Sequence, residues 1–80
     1  MLEIYTSKAE ECIDKALYHA LKIINSNSKT EILNAEYYMG QFSAYMDMIE
    51  ITDINKYVEV GEKTSRTREI ILKQIDKLYR

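Results

Sequence analysis

The sequence predicts an all-α fold, a small helical bundle made of a helical hairpin and a third helical segment. Apolar residues recur at spacings of three and four, Ser and Thr caps precede those runs, and turn residues are scarce. The 80 residues include no proline and two glycines, whereas a strand protein of this length needs several tight turns. One domain covering residues 1–80 is therefore expected.

The first helix is predicted over about residues 7–24. Ser7-Lys8-Ala9-Glu10 fits a capping box, in which serine caps the Glu10 amide and Glu10 bonds back to serine. Asn25-Ser26-Asn27-Ser28-Lys29 is typical of a loop and should separate this helix from the next. The apolar stripe of the first helix consists of Ala9, Cys12, Ile13, Ala16, Leu17, Ala20, Ile23 and Ile24.

The second helix is predicted over about residues 30–51, with a second capping box formed by Ser28 and Glu31. It carries two apolar stripes. The inner seam, expected to face the core, is Ile32, Ala35, Met39, Phe42, Met46 and Ile49. The outer stripe is Leu33, Tyr37, Gly40, Ala44, Met48 and Ile51. A helix that is apolar on most of its circumference is buried on more than one side, so neighbours are expected on both faces.

The third helical segment is predicted over about residues 64–80, capped by Thr64 or Ser65 and preceded by a short segment over residues 54–60. Asp53 is expected to cap the short segment, and Gly61 is expected to end or kink it. Because strand formers are frequent in residues 57–60, helix and strand both remain open there. The predicted core face of the last helix is the Arg68 stem, Ile71, Ile75 and Leu78, with Leu72 and Tyr79 beside it.

Self-association is expected because the core is small. A single core of this size rarely supplies more than roughly 3–5 kcal/mol. Cys12 is the sole cysteine, which excludes an intrachain disulfide, and no Cys/His cluster is present to bind zinc. We therefore expect a homo-oligomer, a two-fold dimer held by the outer stripe, in which Gly40 and Ala44 allow close approach of the second helix.

Charge is distributed unevenly along the chain. Residues 1–60 contain ten acids and five bases, a net charge of −5, and residues 61–80 contain six bases and three acids, a net charge of +3. The acidic second helix can pair with the basic last helix, or it can face a basic partner protein. In the second interpretation, acids act with tyrosines, which are enriched at interfaces. The predicted partner-binding residues are Glu36, Tyr38, Tyr45, Asp47 and Glu50.

The residues that carry chemistry do not form a recognisable site in the sequence. His19 is the sole histidine, and its neighbours at helical spacing bring no carboxylate or thiol. Cys12 lies two helical turns away, about 10.5 Å of rise, which is too far for a hydrogen bond. We expect a surface histidine and a buried structural thiol. Because Glu-x-x-His motifs and phosphate-binding glycine loops are also missing, no enzyme, cofactor or metal site is predicted.

The expected function is that of a non-catalytic interaction module, a small regulator, adaptor or inhibitor that docks on a protein. The alternative is an accessory nucleic-acid-binding protein, although a pI near 5.4 is unusual for that class. Its contacts would come from the basic last helix, through Arg66, Arg68, Lys73, Lys77 and Arg80.

The cellular location is expected to be the cytoplasm, without membrane contact, because the sequence contains no transmembrane stretch or signal peptide. Frequent Ile, Lys, Asn and Tyr indicate a low-GC genome, in which small proteins of phages and mobile elements are common. We therefore expect the protein in a bacterial cell or a phage-infected host.

Overall fold

A computed structural model describes residues 1–26 and 28–79, and the side chains of residues 1–23 and 28–77. Over the described residues the chain forms three α-helices that all pack against one another, with no strand among them, so the predicted all-α bundle is confirmed. A helix of 25 residues is roughly 37 Å long, close to the longest dimension of 38 Å, so the helices lie side by side. They are α1 (Leu2–Ser26), α2 (Lys29–Thr52) and α3 (Ile54–Tyr79).

The first helix begins at Leu2, five residues earlier than predicted. The Tyr5 amide donates a hydrogen bond to the Met1 carbonyl at 3.1 Å, and both Leu2 and Tyr5 pack against the core. This burial stabilises the first turn, since most helical stability in proteins comes from tertiary packing. Ser7 therefore lies inside the helix, and its assignment as a helix cap was wrong.

The end of α1 also differs from the prediction. The helix continues through Ser26, so the first two residues of the predicted loop have helical backbone. Asn27 lies outside the described residues. The side chain of Ile24, which was expected to join the apolar stripe, lies outside the described side chains.

The start of α2 is set by backbone conformation rather than by the predicted capping box. Ser28 is the N-cap residue and has extended backbone, but its side chain makes no capping hydrogen bond. The Glu31 carboxylate, the expected second member of the box, instead contacts His19 of α1. The Ser28–Glu31 capping box was therefore wrong, because a contact between helices takes the carboxylate that the motif requires.

Asp53 alone separates α2 from α3 and serves both helices. Its extended backbone ends α2, and its amide donates to the Ile49 carbonyl at 2.8 Å. Its carboxylate oxygen Oδ1 accepts hydrogen bonds from the amides of Asn55 and Lys56 at 3.0 and 3.2 Å. The predicted cap at Asp53 is confirmed, because these amides belong to the first turn of α3 and have no helical acceptor.

The third helix runs without a break through residues 54–79, so Gly61 does not end it and Thr64 does not cap it. Val60 and Thr64 are 1% and 4% exposed and belong to one buried face. The Thr64 hydroxyl donates to the Val60 carbonyl at 2.8 Å, which satisfies it inside the helix. Burial of this face outweighs the strand preference of residues 57–60. The predicted roles of Leu78, Tyr79 and Arg80 lie outside the described side chains and residues.

The core is formed by one face of each helix. The inner seam of α2 is buried as predicted, with Met39 partly exposed. The described side chains of the predicted α1 stripe are buried as well, with Leu17 packed at the edge. The apolar core residues are Ala9, Cys12, Ile13, Ala16, Ala20, Ile23, Ile32, Ala35, Phe42, Met46, Ile49, Val60, Ile71 and Ile75.

Candidate functional site

The outer stripe of α2 lies on the side of the helix opposite the core. Its large members are exposed, Leu33 by 66%, Tyr37 by 59%, Met48 by 43% and Ile51 by 82%. Gly40 and Ala44 are exposed between them. The predicted oligomer-interface residues therefore share one face that neither α1 nor α3 covers. Contiguous exposed apolar surface of this kind is characteristic of interaction sites.

Gly40 has no packing role inside the chain. A Cβ atom built on Gly40 meets no other atom of the described residues within 4 Å, apart from its own surroundings in the helix. The helix continues through this position, so the glycine does not end it. Glycine in a helix costs roughly 1 kcal/mol relative to alanine, and the packing of the described residues does not require it at this position.

Three acids of α2 form an acidic strip along the edge of the outer stripe that is nearer to α3. Glu36, Asp47 and Glu50 are exposed and recur at spacings close to whole helical turns. Asp47 also lines the groove between α2 and α3. The acidic strip therefore borders the outer stripe on one side and the groove on the other.

The predicted tyrosines lie on the opposite flank of α2. Tyr38 stacks on the His19 ring, with centroids 5.6 Å apart and an angle of 4° between the planes. Lys15 of α1 lies with its Nζ atom 5.5 Å from the centroid of the Tyr38 ring. Tyr45 follows Tyr38 by two helical turns and packs at the edge of the core. The five predicted partner-binding residues therefore occupy two flanks, the acids towards α3 and the tyrosines towards α1.

His19 belongs to a cluster that the sequence did not predict. Its Nδ1 atom lies 2.6 Å from Oε2 of Glu31, and each side chain is 19% exposed. The expectation of a surface histidine was wrong, because the next helix packs against the ring and supplies a carboxylate. Spacing within one helix cannot identify such a pair; the register of the α1–α2 hairpin is the information that was needed.

Cys12 is buried, as predicted. Burial raises the pKa of the Cys12 thiol above its usual value. A buried thiol with a raised pKa is a poor nucleophile, since the thiolate is the reactive form. The local chemistry therefore fits a packing role for this side chain.

A groove with a volume of about 660 Å³ lies between α2 and α3. Phe42 and Arg68 lie in its floor, and Asp47 and Glu62 are among its acidic lining residues. The Arg68 Nη2 atom donates to the Gly61 carbonyl at 2.7 Å, and the guanidinium carbon lies 5.8 Å from the centroid of the Phe42 ring. The Arg68 Nε atom is buried and has no hydrogen-bond partner among the described residues. The apolar lining consists of Met39, Phe42, Met46, Tyr57, Val58 and Leu72.

The basic residues of α3 are divided among several environments. Lys63 pairs with Glu10 of α1 at 2.9 Å, and Lys73 pairs with Glu69 at 3.3 Å. Arg68 points into the groove, whereas Arg66 is exposed elsewhere on the helix. The predicted nucleic-acid-binding residues therefore do not all share one face.

Within residues 1–26 and 28–79, no group of three or more His, Cys, Asp or Glu residues is placed to hold a metal ion. None of the described helices has the length and apolar character needed to cross a membrane.

Comparison of the chain with known protein families, with characterised proteins and with solved structures finds no match. The function must therefore be inferred from the chain's own residues. Two uncovered surfaces stand out, the outer stripe of α2 and the groove between α2 and α3.

Proposed function

We propose that the chain is a non-catalytic protein-interaction module, a small regulator, adaptor or inhibitor that acts by docking on another protein. The observation that carries this proposal is the exposure of the outer stripe, in particular of Leu33, Tyr37 and Ile51. Burying these side chains in an interface would remove apolar area from water, which is the main driving force of association. The proposal includes a cytoplasmic location in a bacterial cell or a phage-infected host, where the Cys12 thiol stays reduced.

Self-association through the outer stripe is part of this proposal, as a two-fold dimer in which the stripe packs against its own copy. The acidic strip borders the stripe on one edge, whereas Gln41 and Thr52 on the other edge are uncharged. A two-fold axis perpendicular to α2 would set the two acidic strips against each other. A two-fold axis parallel to α2 would instead set each acidic strip against the uncharged edge of the other copy. Repulsion between like charges therefore favours the dimer whose axis is parallel to α2.

Docking on an outside protein is proposed to use the acidic strip. Reversing Glu36, Asp47 and Glu50 to lysine should slow association with an identified partner and remove its salt dependence, because long-range attraction acts mainly on the association rate. Equal association rates of the triple variant and the wild type at low salt would mean that the strip is only a solvated surface.

Site-specific photo-crosslinking tests the docking surface directly. A photoreactive phenylalanine analogue replaces Tyr37 in one variant and Tyr18 in the control; the two tyrosines are 59% and 58% exposed, on α2 and α1 respectively. The Tyr37 variant should crosslink to a second copy or to one discrete protein, whereas the Tyr18 variant should not. Equal crosslinking from both positions, or none from Tyr37, would contradict the proposal.

Two measurements separate the remaining alternatives. Sedimentation of the wild type at tens of micromolar tests the dimer, and a monomer at that concentration rejects it. Salt-dependent retention on a DNA column would favour the nucleic-acid alternative, since phosphate contacts release counterions.

A further inference from the structure

The groove between α2 and α3 is the second uncovered apolar surface of the molecule. Its floor is Phe42, which is 3% exposed, and its α3 wall carries Val58 and Leu72, which are 48% and 56% exposed. Tyr57 and Leu72 are fifteen residues apart on α3, so the groove is roughly 22 Å long at 1.5 Å per residue. This length matches about four turns of a helix lying along the groove.

Both walls of the groove carry exposed acids. Asp47 lines it on α2 and Glu62 lines it on α3. The acidic strip continues the first wall through Glu36 and Glu50. On the second wall Glu62 is the acid that lines the groove, because Glu69, two turns beyond it, pairs with Lys73 at 3.3 Å. An apolar floor with one acid on each wall, Asp47 and Glu62, is complementary to a helix with one apolar face and a basic residue on each side of that face.

Arg68 adds a polar requirement to the apolar floor. Its Nη2 atom is engaged by the Gly61 carbonyl at 2.7 Å, but its Nε atom is buried and lacks a hydrogen-bond partner among the described residues. A buried unpaired donor is rare in native proteins, and leaving it unpaired is unfavourable. A small adjustment of Arg68 on binding would let an acceptor of the occupant pair with the guanidinium.

We propose that the α2–α3 groove binds an amphipathic helix of a partner protein, with Lys or Arg on both flanks of its apolar face and one hydrogen-bond acceptor within that face, opposite Arg68. The proposal rests on the proposed function insofar as both make the chain a docking protein. The groove shares the acidic strip with the proposed docking surface but is distinct from the outer stripe, and the proposal does not depend on self-association through that stripe.

The test uses the full chain and a fluorescent synthetic peptide of about 18 residues, roughly 27 Å as a helix. Leucines form the apolar face of the peptide, one glutamine interrupts that face, and lysines flank it. A matched peptide carries glutamate in place of every lysine. Fluorescence anisotropy should show that the lysine peptide binds at least about ten-fold more tightly, and that its affinity falls when ionic strength rises from about 0.05 to 0.3 M. Equal affinities for the two peptides would overturn the proposal.

Charge-reversal variants locate the binding surface. Asp47→Lys combined with Glu62→Lys should abolish the preference for the lysine peptide. Glu3→Lys combined with Asp14→Lys makes the same charge change on exposed positions of α1 and should retain that preference. Circular dichroism checks that both variants keep their helicity. Equal losses in the two variants would mean that the peptide responds only to net charge, which would overturn the groove as its site.

Two further comparisons sharpen the assignment. Replacing the peptide's glutamine by leucine should weaken binding to the wild type several-fold but not to the Arg68→Met variant. The same loss in both proteins would reject the role of Arg68.

The Gly40→Leu variant should retain peptide binding, because its groove is intact. The groove proposal and the outer-stripe proposal can therefore fail separately. If the Asp47→Lys, Glu62→Lys variant loses self-association while Gly40→Leu keeps it, the occupant is a second copy, and the partner-helix proposal is rejected.

Discussion

The two apolar faces of α2 differ in what covers them. Along the inner seam, Ala35 and Ile49 are fully buried and Phe42 is 3% exposed, whereas Leu33 and Ile51 of the outer stripe are 66% and 82% exposed. Both faces have apolar side chains at helical spacing, and both run along most of the helix. The contrast arises because α1 and α3 pack on the same side of α2 and leave the other side uncovered.

This comparison teaches that one helix of a small bundle can carry two apolar faces, only one of which packs in the core of its own chain. The inner seam stabilises the fold of the single chain. The outer stripe contributes nothing to that core, and its burial requires another molecule. Substitutions on the two faces should therefore change different measured quantities, the stability of the chain for one and its association for the other.

The largest expected effect on the fold is that of Phe42→Ala. Removing this buried ring should lower the free energy of unfolding by about 3–5 kcal/mol, because transfer and cavity terms add. Leu33→Ala is the matched change on the outer stripe and should cost less than about 0.5 kcal/mol in the dissociated chain. Urea denaturation at low protein concentration measures both. Similar losses would break the distinction between the faces.

The largest expected effect on association is that of Gly40→Leu. The leucine has open space within the chain, so the variant should remain helical, but it would hold the second helix of a dimer away. We expect self-association to weaken by more than about ten-fold, or 1.4 kcal/mol. Gly40→Ala is the control and should still associate. Sedimentation velocity distinguishes the variants, and an unchanged dimer in Gly40→Leu would reject the outer stripe as the interface.

A smaller effect is expected at the flank of α2 that α1 covers. Glu31→Ala removes the carboxylate that His19 contacts at 2.6 Å and should destabilise the chain by about 1–2 kcal/mol, since hydrogen bonds to charged groups contribute more than neutral ones. Glu31→Gln keeps an acceptor and should lose less. Thermal melting of the two variants tests the pair; equal effects of alanine and glutamine would mean that the hydrogen bond contributes little.

The smallest predicted effect is a gain. Gly61→Ala should stabilise the chain by about 0.5–1 kcal/mol, because α3 is continuous there and alanine is the better helix former. The added Cβ would meet Met46 Cε at 4.0 Å, an ordinary van der Waals distance. Urea denaturation provides the measurement. Destabilisation would indicate that the α2–α3 contact needs the glycine.

Much of the fold follows from the pattern of residues along each helix. The inner seam was predicted correctly because apolar spacing of three and four depends on helix geometry alone. Asp53 was identified as a cap because its carboxylate acts on amides two and three residues away. The predicted capping boxes at Ser7 and Ser28 were wrong because a tertiary contact was stronger than the local motif in each case. At Ser7 this contact is the core packing of Leu2, and at Ser28 it is the His19–Glu31 pair.

The candidate site divides in the same way. The outer stripe could be recognised from the sequence because its members share one helix. The separation of Tyr38 from the acidic strip also follows from helical spacing, since both lie on α2. The groove and the position of Arg68 depend on how two helices pack, so spacing within one helix does not reveal them.

The sequence by itself determined the helical class of this protein, the two apolar faces of α2 and the acidic character of that helix, because these properties are local and periodic. The tertiary structure decided that α3 continues through Gly61, that His19 meets Glu31, and that an apolar groove with an acid on each wall remains open between α2 and α3. The physical reason is that burial between helices outweighs local preferences of about 1 kcal/mol per residue.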